Sequence, residues 1–237
     1  MNGTYAYTLK LKASDTGTAF VVNYKDGYYL LSALHVVQDA EIAKIIDVDD
    51  NETNIDVSDK AVSTEDTDIC VMRLPNEVAE HLTLPTKCAT FEGSGYPCQI
   101  EGFPSNAIDK RIRIEDDCKI EQESEVGDGL YVKLQEVRND GMKMDDLEAG
   151  FSGSGVFVNS NDEKYVVGLV YRVDSIRNQF IGWKMQKINE ILHDVSIDKS
   201  LERGAVWLAS VQDEKGYFDW KKSGLNFAYY LSGASAF

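Results

Sequence analysis

Hydrophobic and polar positions alternate over residues 5–13 (YAYTLKLKA), the period-two pattern of a strand with one buried face. Residues 18–24 and 28–33 are apolar runs joined by Lys25-Asp26-Gly27, which predicts a β-hairpin closed by a glycine-containing turn. Further strands are predicted at 43–48, 69–74, 99–102, 110–121, 130–134, 155–158, 165–173 and 179–184, each bounded by turn residues. Short strands at this spacing specify an all-β fold of the barrel or sandwich kind. Helical spacing is clear only over 185–194, where Met185, Ile188, Ile191 and Leu192 share one face. A single helix packed on the β-structure is the expectation.

Residues 46–66 are strongly acidic and read as a solvated loop. Asp47, Asp49 and Asn51 sit at the first ligand positions of a calcium loop, but Glu52 replaces its turn glycine and Ser58 its bidentate glutamate. No metal is expected there, and no cofactor elsewhere. Beyond Asp194, Trp220 and the run 227–231 are too aromatic for a free tail. The chain therefore divides into a domain over 1–195 and an extension over 196–237 that docks on it or begins a further domain.

Composition narrows the choice. The 237 residues are 43% hydrophobic, enough for a substantial core. With 24 basic against 40 acidic residues the formal charge is −16, which repels a phosphate backbone and excludes nucleic acid as a partner. No apolar run reaches the roughly 18–20 residues of a membrane span, so no membrane association is expected. The first fifteen residues lack a signal sequence's basic start and apolar segment, which predicts a cytoplasmic protein. Cys70, Cys88, Cys98 and Cys118 show no metal-ligand spacing and are expected as reduced thiols.

The chemistry concentrates at Gly150-Phe151-Ser152-Gly153-Ser154-Gly155, directly before a predicted strand. Glycines around a serine permit a tight turn that exposes the hydroxyl and aims backbone N–H groups at one point. A histidine, His35, ends the apolar strand Leu30-Leu31-Ser32-Ala33-Leu34, and an acid, Asp68, opens the strand Ile69-Cys70-Val71-Met72. Together with Gly17-Thr18-Ala19-Phe20, Gly102-Phe103-Pro104 and Val166-Val167-Gly168-Leu169-Val170, these strings occur in the order in which their counterparts occur in the trypsin-like (chymotrypsin-fold) serine peptidases. The chain resembles above all the intracellular, HtrA-type branch.

That resemblance implies two six-stranded β-barrels with the active site between them and a C-terminal helix. It also implies a serine endopeptidase acting on protein or peptide substrates. His35 would be the general base, Asp68 its orienting acid and Ser152 the nucleophile, with the backbone N–H groups of Gly150 and Ser152 forming the oxyanion hole. Asp66 is the competing choice for the acid. Asp146, six residues before Ser152, stands at the family's pocket base, with Val170, Tyr171 and Arg172 on the pocket wall. An ionised Asp146 would favour Arg or Lys at the cleavage site, unless Arg172 neutralises it and selects acidic side chains instead or the acid belongs to a solvated loop.

Three departures from the family matter. Phe151 replaces the aspartate that pairs with a newly cut N-terminus in secreted trypsins, which excludes that activation route. The secreted branch's disulfides are missing. Gly155 replaces the usual proline, so a loosened turn and regulation by ordering are expected. The resemblance extends to protease modules of bacterial stress and defence proteins, in which a regulatory protein or a downstream sensor domain controls the protease. The competing classes are a catalytically inactive peptide-binding scaffold and an unrelated β-rich binding module.

Overall fold

Two largely antiparallel sheets carry the chain in a computed structural model, which describes residues 8–193 other than 26, 48, 59, 60, 63–66, 81, 83–86, 91–93, 105–111, 115–117, 122–126, 135–143, 148, 161 and 162. The first contains β1 (Thr8–Lys12), β2 (Thr16–Tyr24), β3 (Gly27–Ala33), β4 (Ile42–Ile46), β5 (Glu52–Asp56), β6 (Ala61–Val62) and β7 (Ile69–Leu74), in the spatial order β5-β4-β1-β2-β3-β7-β6. Between β3 and β4 lies a one-turn helix, α1 (Leu34–Val37), and after β7 another, α2 (Asn76–Ala79).

The second sheet contains β8 (Lys87–Cys88), β9 (Tyr96–Pro97), β10 (Gln99–Gly102), β11 (Ile112–Ile114), β12 (Cys118–Glu121), β13 (Gly129–Leu134), β14 (Gly155–Ser160), β15 (Glu163–Asp174) and β16 (Gln179–Lys184). Its order is β11-β10-β14-β15-β16-β13-β12-β9, with β8 parallel to β15. Both sheets are barrel-like, one nearly closed and the other a half-barrel. The two-residue strands β6, β8 and β9 bring the strand counts to seven and nine. Each sheet encloses its own core, Leu9, Leu11, Leu30, Ile45 and Met72 in the first and Ile100, Val132, Val156, Val167 and Phe180 in the second.

The predicted hairpin forms with Val21 opposite Leu30, so the apolar faces of β2 and β3 fall on the same side of the pleat. Residues 185–193 form a helix, α3, with Met185, Ile188 and Leu192 buried. The acidic segment differs from expectation, because β5 lies within it and pairs along β4 from Ile42–Asp56 to Ile46–Glu52. Its inward positions Ile55 and Val57 are buried while Glu52, Asn54 and Asp56 take the outer face or remain partly exposed. Asp47 closes the β4–β5 turn by accepting from the N–H groups of Asp49 (2.8 Å) and Asn51 (2.9 Å), an Asx turn that occupies the carboxylate with its own loop.

By contact density the chain splits into two compact units, Met1–Leu192 and His193–Phe237. The proposed extension over 196–237 lies outside the described residues. Among the described residues no helix is long and apolar enough to cross a membrane, and no group of three His, Cys, Asp or Glu is arranged to hold a metal ion. None of the four cysteines is in a disulfide.

Candidate active site

Strand pairing brings the histidine and the acid together. β3 and β7 are in register up to Ala33 opposite Ile69, so the residues just beyond that pair, Leu34-His35 and Asp68, meet at the strand ends. The N–H of Leu34 donates to the Asp68 carbonyl (3.1 Å) and the N–H of His35 to Asp68 Oδ1 (2.9 Å). His35 Nδ1 lies 2.7 Å from Asp68 Oδ2. His35 is thus the second residue of α1, two residues past Ala33, where β3 ends, and not the last residue of the strand as expected. Asp68 adopts φ +48°, a left-handed conformation that costs about 1 kcal/mol for most residues and is easiest for Asn and Asp. That turn aims both carboxylate oxygens at one histidine.

The consequence is electrostatic. The hydrogen bond to Asp68 raises the His35 pKa above its ordinary value near 6.5, against the opposing effect of burial. An Nδ1 proton held on Asp68 leaves Nε2 with the free lone pair, the arrangement a general base needs. Asp66 lies outside the described residues.

The serine sits on a turn held from three sides. Phe151 is fully buried in the second core and stacks on Phe180 with centroids 5.5 Å apart. Gly150 and Gly153 have φ of +99° and +90°, and a Cβ would strike the Phe103 carbonyl at the first and the Thr18 carbonyl at the second. Only glycine fits either position. The N–H of Gly153 donates to the Val170 carbonyl and the N–H of Val170 to the Ser154 carbonyl, both at 2.8 Å. From the first sheet, the N–H of Thr18 donates to the Ser152 carbonyl (2.8 Å). Among the described residues no acceptor takes the N–H of Gly150 or of Ser152.

The Ser152 hydroxyl donates to the Tyr171 carbonyl at 3.3 Å. Tyr171 falls at an irregularity of the β15–β16 ladder, where Val170 faces Gly182 and Arg172 faces Ile181, so it is the extra residue of a bulge. Its ring stacks on Trp183 at 5.8 Å, and Trp183 Nε1–H donates to the Thr67 carbonyl (2.6 Å) beside Asp68. Burial raises the Tyr171 pKa. Val170 is fully buried in the second core, whereas Arg172 is exposed beside Asp174, Ile176 and Arg177. Asp146 belongs to a single 3-10 turn, Met144–Leu147, anchored by buried Met144 and Leu147; its side chain lies outside what is described.

One expectation changes here, and two residues join the site. Gly155 does not loosen the turn, because it is already paired in β14 opposite Leu169, and its missing side chain leaves room for the Phe157 ring. Thr18 and Trp183 belong to the site although neither was marked as a site residue. The only sign of Thr18 was its place in the Gly17-Thr18-Ala19-Phe20 string. Trp183, an aromatic on a predicted strand, carried no sign at all. Phe151→Ala empties a packed position and should destabilise the protein by about 3–5 kcal/mol, measured as a lowered denaturant midpoint or melting temperature; an unchanged midpoint would show that the ring does not anchor the turn.

No protein-family model matches the sequence, and no curated protein is similar to it at the level of sequence. Solved structures do match. The protease Rv3671c of M. tuberculosis in its inactive form superposes with a TM-score of 0.56 at 15% identity, over 81% of this chain and 89% of that one. The HtrA-type protease AlgW with a tripeptide gives 0.56 at 15% identity, over 80% of this chain and 60% of that one. The serine endoprotease of Yersinia pestis gives 0.58 at 15% identity, over 82% and 64%. The chain therefore has the two-barrel fold of the HtrA-type and trypsin-like serine proteases.

Proposed function

We propose that this protein is a serine endopeptidase that hydrolyses protein peptide bonds with His35, Asp68 and Ser152. The observation that carries the reading is the double engagement of His35 by Asp68, one carboxylate oxygen on the backbone N–H and the other on Nδ1. Such a grip fixes the ring and its tautomer, while Ser152 is held on its own turn, built around two glycines of positive φ.

In this reading the Ser152 hydroxyl leaves the Tyr171 carbonyl and turns to His35 Nε2, since catalytic hydrogen bonds often tighten only once substrate is bound. Ser152 Oγ attacks the scissile carbonyl carbon while its proton passes to Nε2. The oxyanion is met by the N–H groups of Gly150 and Ser152, each worth about 3–4 kcal/mol in such sites. Collapse of the tetrahedral adduct breaks the C–N bond, with the Nε2 proton going to the leaving amine. Water, deprotonated by the same histidine, then hydrolyses the acyl-enzyme. No cofactor enters any step.

The buried Phe151 supports a turn set by packing, where secreted trypsins use an ion pair with a cut N-terminus. Four cysteines outside any disulfide fit a reducing compartment such as the cytoplasm, the Cys98 thiol donating to the Cys118 sulfur at 3.6 Å where a disulfide would have joined them. A regulatory protein or sensor domain, as in the protease modules of bacterial stress and defence proteins, would act on this fold by ordering the pocket. The rest position of the Ser152 hydroxyl on Tyr171 favours one rival, a catalytically inactive peptide-binding scaffold. A fluorophosphonate probe decides between them: covalent labelling of Ser152, absent after Ser152→Ala, supports the peptidase, and no labelling of folded protein in the presence of cleavable peptide libraries rejects it.

Specificity follows from the pocket residues. With Asp146 ionised at the pocket base, peptides with Arg or Lys at the cleaved position are preferred, and Asp146→Ser should cut their turnover by about 10-fold or more against Leu peptides. Were Arg172 paired with Asp146, the same substitution would instead raise turnover of Glu peptides, and Arg172→Ala would abolish that gain. Rates on Arg, Leu and Glu peptides for the three proteins make the measurement; an Arg-to-Leu ratio unmoved by Asp146→Ser places Asp146 outside the pocket.

A further inference from the structure

The geometry points to the Thr18 hydroxyl as the positioning group that sets the oxyanion-binding turn, an inference that rests on the peptidase reading above. Thr18 is fully buried at the meeting of three segments. Its Oγ1–H donates to the Gly150 carbonyl at 2.6 Å, and its Oγ1 accepts from the N–H of Phe103 at 3.0 Å. Its own N–H donates to the Ser152 carbonyl (2.8 Å), and its carbonyl accepts from Ser32 Oγ (2.8 Å).

The hydroxyl is therefore a bridge between a carbonyl of the nucleophile turn and an N–H of the Gly102-Phe103-Pro104 turn. A hydroxyl donates and accepts at once, which neither a methyl nor a carboxylate does at neutral pH. The consequence falls on the two N–H groups that take no acceptor among the described residues. Thr18 fixes the peptide plane between Gly150 and Phe151 through its side chain, and the plane between Ser152 and Gly153 through its backbone. The N–H groups of Gly150 and Ser152 belong to the neighbouring planes, so their direction is set by those that Thr18 holds. Ser32 extends the same frame to β3, three residues before His35. Base and nucleophile turn thus share one reference residue.

Thr18→Val keeps the shape and removes the bridge, leaving a buried donor and a buried acceptor unmatched. Misaimed oxyanion donors should slow fluorophosphonate labelling of Ser152 and peptide kcat by about 10- to 100-fold, somewhat less than outright loss of a donor, with KM shifted by no more than about threefold. Thr18→Ser restores the hydroxyl and should recover labelling to within about threefold of wild type. Hydrogen exchange at the Phe103 amide should accelerate by at least about 10-fold in Thr18→Val and not in Thr18→Ser. Thr18→Val that labels at the wild-type rate overturns the proposal, as does Thr18→Ser that is as slow as Thr18→Val. If Thr18→Val does not fold, Ser32→Ala is the second variant: slower labelling at an unchanged melting temperature supports the shared frame, and wild-type labelling with wild-type Phe103 exchange rejects it. Failure of the wild-type protein to label would sink the peptidase reading itself, whereas the Phe103 exchange comparison would still report whether the hydroxyl holds the turn.

Discussion

Ser152→Ala is expected to abolish peptide hydrolysis and fluorophosphonate labelling, a loss on the order of 10⁴ to 10⁶ in kcat, while the protein stays folded. The size of the loss follows from chemistry, because nothing else in the site can form the acyl bond. The intact fold follows from contacts. The hydroxyl makes one long hydrogen bond, 3.3 Å to the Tyr171 carbonyl, from a partly buried position, so its removal should cost no more than about 1 kcal/mol. The turn itself is held by other groups: the Phe151 ring in the second core, the backbone bonds to Val170, and Thr18 from the first sheet. His35→Ala should be about as damaging to rate, and the double variant little worse than either, since the groups work as a unit. Circular dichroism beside a peptide assay measures both halves. Hydrolysis persisting in Ser152→Ala would remove the nucleophile from the assignment, and unfolding would mean that the hydroxyl has a structural duty the contacts do not reveal.

Legibility in the sequence tracked locality. Strands β7, β10 and β16 fall at their predicted limits, β7 as an apolar run closed by Pro75, and α3 was visible in the spacing of Met185, Ile188 and Leu192. β5 was hidden because Glu52, Asn54 and Asp56 occupy its outer positions, so a period-two pattern in Thr53, Ile55 and Val57 looked like loop composition. The stretch predicted as one strand over 110–121 is carried by two, β11 and β12, each pairing with a different neighbour, a choice of partner that no local pattern announces. The same limit governs the site. His35, Asp68 and Ser152 stood in recognisable strings, whereas the bonds that position them join residues far apart in sequence: Thr18 to Gly150, Thr18 to Phe103, and Trp183 to Thr67. A threonine or tryptophan acquires such a role only through the fold.

Asp68→Asn is expected to lower kcat by about 10⁴ while keeping the backbone in place. Asparagine tolerates the left-handed φ of +48° as aspartate does, and its amide oxygen can still accept the His35 N–H, so the loss reports on charge and tautomer more than on strain. The pH profile should also move. In the wild-type protein the hydrogen bond to Asp68 raises the His35 pKa above 6.5, and the proposed mechanism needs the neutral ring, so activity should rise with pH through an apparent pKa above that value. Without the carboxylate the acid limb of the residual activity should shift to lower pH. Stability runs the opposite way. A raised imidazole pKa contributes stability fully below the unfolded value near 6.5 and loses it as pH climbs through the folded value. The melting-temperature gap between wild type and Asp68→Asn should therefore be wider near about pH 5 than near about pH 9. It should be modest at both, since the His35 and Asp68 side chains are 41% and 21% exposed. An acid limb that stays put in Asp68→Asn and moves in Asp66→Asn would show that Asp66, not Asp68, orients the histidine.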